Sequence, residues 1–191
     1  MRMNNYRVVL GSASPRRKEL LGQLVPLFSI RIAEVDEHCL LTSPTQYVMY
    51  TAGKKAMAVS IDEDELLVSA DTIVYFEGKF LGKPVDDVDA KRMLVMQNGK
   101  VNTVYTGVCL RTAHSIEFFV EDSAVRIDMT EPQRDHYIAG GYARDKAGAY
   151  GIQDPDMHAV LLSGSLSNVI GLPTEALAEH LARYGIEEKY V

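Results

Sequence analysis

Leu10-Gly11-Ser12-Ala13-Ser14-Pro15-Arg16-Arg17-Lys18-Glu19-Leu20-Leu21 joins two kinds of apolar pattern, and its reading decides the fold. Before it, Tyr6 to Leu10 is a short apolar run that predicts a buried strand. After it, Leu20, Leu21 and Leu24 share one face at helical spacing. Between the two lie only small residues. Ser14 suits an N-cap and Pro15 suits the first helical position. The start of that helix offers unpaired N–H groups and the positive end of the helix dipole. Three consecutive cations, Arg16, Arg17 and Lys18, sit where the dipole disfavours them, which makes sense if an anion occupies the turn. The P-loop pattern G-x-x-x-x-G-K-[ST] is absent.

Outward from this turn, Leu27 to Ala33 alternates as a half-buried strand, followed by the acidic run Glu34-Val35-Asp36-Glu37. Ser43-Pro44 opens a largely apolar helix carrying Lys54 and Lys55, whose side chains point about 100° apart, so that only one can easily face a shared site. Leu66 to Phe76 is the most strand-like run in the chain, apolar on both faces as a central strand is. Asp71 interrupts it. An ionised carboxylate buried there needs a cation, a metal or hydrogen bonds. Glu77-Gly78-Lys79 signals a hairpin that returns through Leu81-Gly82-Lys83-Pro84 and holds Lys83 near Asp71. A helix is expected over Asp86 to Gln97, ended by Asn98-Gly99. Two long strands follow, Val101 to Leu110 and Ser115 to Ile127, then a helix from Thr130-Glu131-Pro132. Asp145 to Gln153, broken by Gly148 and Gly151, is a loop able to wrap a ligand, and a last helix runs from Pro173 to Tyr184.

Composition bounds the answer. The 191 residues suit one domain, 1–191, with two lobes sharing a sheet. Twenty-six acidic against twenty basic side chains give a net charge of −6, which argues against a nucleic-acid or membrane-surface partner while leaving room for a small anion at a local basic cluster. No apolar run of about 18 residues predicts a membrane span. Cys39 and Cys109 have no zinc or redox spacing, and the N-terminus lacks an apolar leader, so a reduced cytoplasmic protein is expected.

Ser12 to Leu21 resembles the signature opening of the Maf family of nucleoside triphosphate pyrophosphatases. Ser69-Ala70-Asp71-Thr72-Ile73-Val74, Leu81-Gly82-Lys83-Pro84, Asp145 to Gln153 and Asn168-Val169-Ile170-Gly171-Leu172-Pro173 resemble its later blocks, in the same order. The resemblance covers about Tyr6 to Tyr184. It implies an α/β fold related to inosine triphosphatases, an elongated mixed β-sheet flanked by helices with two lobes around a nucleotide-binding cleft. It also implies metal-assisted attack of water on the α-phosphorus of a nucleoside triphosphate. Asp71, Lys83, Lys55 and Glu37 take the catalytic positions. Ser12, Ser14, Arg16, Arg17, Thr72, Lys146 and Gln153 take the substrate positions. Asp71, Glu37 and Asp36 are the candidate ligands of a divalent cation, Mg²⁺, Mn²⁺ or Co²⁺.

Arg16, Thr72 and Gln153 go with the family's dTTP and UTP branch. The alternatives are a 7-methyl-GTP pyrophosphatase and a nucleotide-binding regulator of cell division with little catalysis. The expected partner is the nucleoside triphosphate, with a homodimer left open. The chain departs from the family pattern twice. Tyr142-Ala143 stands where Glu-Pro is usual, removing a carboxylate near the metal. Asp154-Pro155 follows Gln153 where Gly is usual, stiffening the loop and adding a negative charge.

Overall fold

A computed structural model describes residues 6–36 and 38–186; Glu37, a candidate catalytic residue and metal ligand, lies outside the described residues. The chain forms a seven-stranded mixed sheet flanked by helices. Its strand order is β2 (Phe28–Ile30), β1 (Arg7–Leu10), β3 (Glu65–Phe76), β5 (Val101–Arg111), β6 (Ile116–Ile127) and β7 (Ala159–Ser163), with β4 (Lys79–Leu81) paired to β3. By its internal contacts the chain divides into two compact units, one of Met1–Asp71, Thr106–Glu121 and Gly171–Val191, the other of Thr72–Tyr105 and Asp122–Ile170.

In the first unit β1 lies parallel to both β2 and β3. The chain leaves β1 through α1 (Pro15–Leu24) to reach β2 on one side, then returns through α2 (Pro44–Ala58) to reach β3 on the other. The order therefore reverses between β1 and β3. The carboxyl ends of strands at such a switch point are where open parallel sheets bind ligands. Helix α2 packs Ala52 and Ala56 on Val9, Leu67 and Cys109. Its close seat on β5 needs glycine, because a Cβ on Gly107 would stand 2.6 Å from the carbonyl carbon of Val48 and 2.9 Å from the nitrogen of Met49. Helix α6 (Thr174–Ala182) packs against α1. Glu65, at the start of β3, is buried and bound by Arg31 at 2.8 and 3.0 Å and by the Asp62 amide at 2.9 Å. The Arg31 bonds hold its carboxyl below the usual range, outweighing the opposing effect of burial.

The second unit is built on the far half of β3 and its hairpin with β4, where Glu77 and Gly78 both have positive φ, as a two-residue I′ turn requires. Helices α3 (Asp87–Gln97) and α4 (Glu131–Ala139) pack together over a core that includes Val74, Phe76, Leu94, Val104, Ile127, Tyr137 and Tyr150. Asp86 caps α3 through the Asp89 amide, and the Gln133 side chain accepts from the Thr130 amide at the start of α4.

One expectation needs correction, and two elements are additions to it. The strand expected over Leu27 to Ala33 is only Phe28–Ile30 and is not half-buried, since Ile30 is 43% and Ile32 57% exposed; as the edge strand, β2 pairs with β1 alone. Strand β7, antiparallel to β6, was not anticipated, and neither was the short helix α5 (Leu166–Ile170). Among the described residues no helix is long and apolar enough to cross a membrane.

Candidate active site

The turn that opens the sequence argument lies directly against β3. The Gly11 amide donates to the Val68 carbonyl at 2.8 Å, and a Cβ on Gly11 would stand 3.2 Å from Leu67 and 3.3 Å from Ser69. The parallel ladder ends at Leu10 opposite Val68, so β3 runs on through Ser69, Ala70 and Asp71 while β1 gives way to the turn. Ser14 caps α1, its hydroxyl accepting from the Arg17 amide at 3.5 Å. Arg17 folds back over this turn. Its Nε donates to the Gly171 carbonyl at 2.8 Å and one terminal nitrogen to the Ser12 hydroxyl at 3.4 Å. A guanidinium is thereby fixed over a turn of small residues at the start of a helix.

Leu67, Ser69 and Asp71 alternate onto the face of β3 that α2 covers. The buried Ser69 hydroxyl donates to the Ala52 carbonyl at 2.7 Å, which sets the register of helix on strand. One helical turn after Ala52, and two residues after Ser69, the Lys55 ammonium meets Asp71 Oδ1 at 2.8 Å. Lys54, its neighbour, points elsewhere and lies 5.7 Å over the Tyr50 ring. Asp71 is 6% exposed in an otherwise apolar strand. Its second oxygen makes no hydrogen bond among the described residues. The pair balances charge and keeps acceptor capacity in reserve.

The remaining expected residues are placed as follows. Asp36 is exposed and accepts from the His38 amide at 2.9 Å. Arg16 is half-buried on the first turn of α1. Thr72, Lys83, Lys146 and Gln153 belong to the second unit; Lys83 and Gln153 are exposed, and the Gly82 carbonyl beside Lys83 accepts from the Gly148 amide at 3.1 Å. Sequence reasoning missed the Gly171 carbonyl that holds Arg17, a backbone group with no side-chain signal. Cys109 is fully buried, and burial pushes its thiol up to about 12. Among the described residues no group of three or more His, Cys, Asp or Glu could hold a metal. A divalent ion could still be held by the open oxygen of Asp71 together with substrate oxygens and water. Magnesium is commonly bound that way, through one or two carboxylates plus phosphates.

A buried acid with an open oxygen, beside a cationic helix start at a sheet switch point, places this chain among the α/β proteins whose ligand sites lie at the carboxyl ends of such strands. The comparisons make this specific: the family model described as Maf-like protein matches residues 7–184, and the chain belongs to the Maf family. A dTTP/UTP pyrophosphatase of Bacillus cereus (strain AH187) is 39% identical over 185 residues, covering 95% of this chain and 97% of that protein. One from Anaeromyxobacter sp. (strain Fw109-5) is 44% identical, covering 94% and 90%. Among solved structures, a HAM1 protein from Coxiella burnetii matches at TM-score 0.48 and 12% identity, over 93% of this chain and 99% of that one.

Proposed function

We propose that this protein hydrolyses dTTP and UTP to the nucleoside monophosphate and pyrophosphate. The observation that carries the reading is Asp71, a buried carboxylate with one oxygen on Lys55 and the other without a hydrogen bond among the described residues, on the strand that adjoins the Arg17 turn. The names of relatives at 36–44% identity supply the substrates.

In this reading Asp71 accepts the proton of the attacking water, and Lys55 holds the carboxylate in place. A carboxylate is a weak base toward free water. A divalent cation held by Asp71 and the phosphates would lower the water's pKa, so that Asp71 is an adequate base. Arg17 presents a planar fork to phosphate oxygens, and the Ser12 and Ser14 turn admits close approach of the phosphate. Lys83 and Arg16 are assigned to phosphate, and Thr72 and Gln153 to the pyrimidine, whose edge carries both acceptor and donor positions that an amide can match. Glu37 and Asp36 are assigned as further acidic groups toward the cation.

The test is the initial rate of pyrophosphate release from dTTP, UTP and 7-methyl-GTP, each with magnesium, manganese and cobalt. Pyrimidine triphosphates should be turned over fastest and only with metal present. A preference for 7-methyl-GTP would overturn the substrate assignment, and metal-independent turnover would overturn the role of the cation.

A further inference from the structure

Lys146 lies in a block that the family resemblance assigns to substrate, yet its surroundings do not suit a phosphate. Its ammonium stands 2.7 Å from the Tyr142 carbonyl, 2.8 Å from Asp145 Oδ1 and 3.1 Å from Asp154 Oδ2. An ammonium has three donors, and here three oxygens face it. Two of these oxygens belong to carboxylates, so the cluster is net negative. Lys146 and Asp154 each keep only 11% of the side chain exposed. Asp154 also accepts from the Tyr137 hydroxyl at 2.5 Å, and that hydroxyl accepts from the Gly151 amide at 3.0 Å. Tyr142 stacks on Tyr137 with ring centroids 5.5 Å apart. Both departures from the family pattern, Tyr142 and Asp154, thus take part in one arrangement around Lys146.

The arrangement closes a turn. The Asp154 amide donates to the Gly151 carbonyl at 3.0 Å, so Ile152 and Gln153 form the tip between two tied residues. A Cβ on Gly151 would stand 2.6 Å from both Asp154 Oδ2 and Lys146 Cε. The clasp therefore lies directly over this α-carbon. Gln153 at the tip is exposed.

We propose that Lys146, Asp154 and Tyr137 form a clasp that fixes the turn bearing Gln153, and that Lys146 is a positioning residue and not a ligand of the triphosphate. The inference rests on the proposed function for what Gln153 reads, but not for the clasp itself. A preset tip spares the substrate the cost of ordering it, so loosening the clasp weakens binding of the base and leaves the bond-breaking step alone.

Asp154→Asn removes the charge that Lys146 faces. Gly151→Ala instead presses on two flexible side-chain ends without changing charge, which keeps the test open should the first variant fold poorly. Each should raise KM for dTTP about ten-fold with kcat little changed, an effect that vanishes in a Gln153→Ala background. Inorganic tripolyphosphate, which lacks a base, should inhibit Lys146→Met as it inhibits the parent. Hydrogen exchange at the Gly151 amide should quicken in Asp154→Asn. Weaker tripolyphosphate inhibition of Lys146→Met, matching its loss for dTTP, would make Lys146 a phosphate ligand and overturn the proposal. Unchanged exchange at Gly151 would overturn the clasp without reference to any substrate. Failure of the unmodified protein to hydrolyse either pyrimidine triphosphate would instead overturn the proposed function, with the exchange measurement still deciding the clasp.

Discussion

Among the described residues each unit holds one largely buried lysine–aspartate pair, and the two pairs are finished differently. In the first unit Lys55 and Asp71 meet at 2.8 Å, and one carboxylate oxygen is left without a protein bond among the described residues. In the second unit Asp154 Oδ2 takes both Lys146 and the Tyr137 hydroxyl, and the ammonium faces two further oxygens. In the proposed reading the same two residue types give a reactive acid in one place and a fastening in the other. What separates them is the number of donors met: Asp71 takes Lys55 on one oxygen, whereas one oxygen of Asp154 takes both Lys146 and a tyrosine hydroxyl. Burial and then the Asp154 bond push the Tyr137 hydroxyl well above the usual phenol range, so it stays a donor.

The sharpest way to break this contrast is Asp71→Asn. It should lower kcat by about 10²–10⁴-fold, the span of a lost general base, while nucleotide binding measured by thermal shift persists. Turnover equal to the parent's would end the contrast, because the open pair would then do no more than the closed one. Gly107→Ala comes next. Forcing a Cβ against the α2 backbone should cost about 1–3 kcal/mol in urea unfolding and lower kcat as well, since the helix carries Lys55. Ser69→Ala should cost about 1 kcal/mol and reduce kcat several-fold by releasing α2 from its register, whereas Asp154→Asn leaves kcat nearly intact.

The smallest effect concerns Glu65→Gln, at about 1 kcal/mol near neutral pH because Arg31 stands partly in water. Folding lowers the Glu65 pKa, chiefly through its Arg31 bonds, so that stabilisation is complete above the unfolded value of about 4.5 and fades as pH falls through the folded value. Chemical unfolding from pH 7 down to pH 3 should therefore show the variant losing less stability in acid than the parent.

Local signals were legible in the sequence. Ser14-Pro15 starts α1, and the stretch from Asp86 to Gln97 holds α3. Glu77-Gly78 turns the hairpin, and the apolar run around Asp71 is β3. Each depends on neighbours within a few positions. The 100° spacing separated Lys54 from Lys55, and the family resemblance favoured the one found on Asp71. What escaped is set by distant partners. The exposure of Ile30 and Ile32 follows from the place of β2 at the sheet edge, which no alternation reveals. Asp154 was visible as an oddity, but its bond to Tyr137, 17 residues away, was not.

The Arg17 side chain is held by the carbonyl of Gly171, 154 residues further on. A nascent chain leaving the ribosome thus carries this guanidinium from the first moments of synthesis, yet cannot fix it until the last tenth of the polypeptide begins to emerge. Because the first unit is drawn from three separate stretches, with the other unit's sequence interposed, competence should arrive late and all at once.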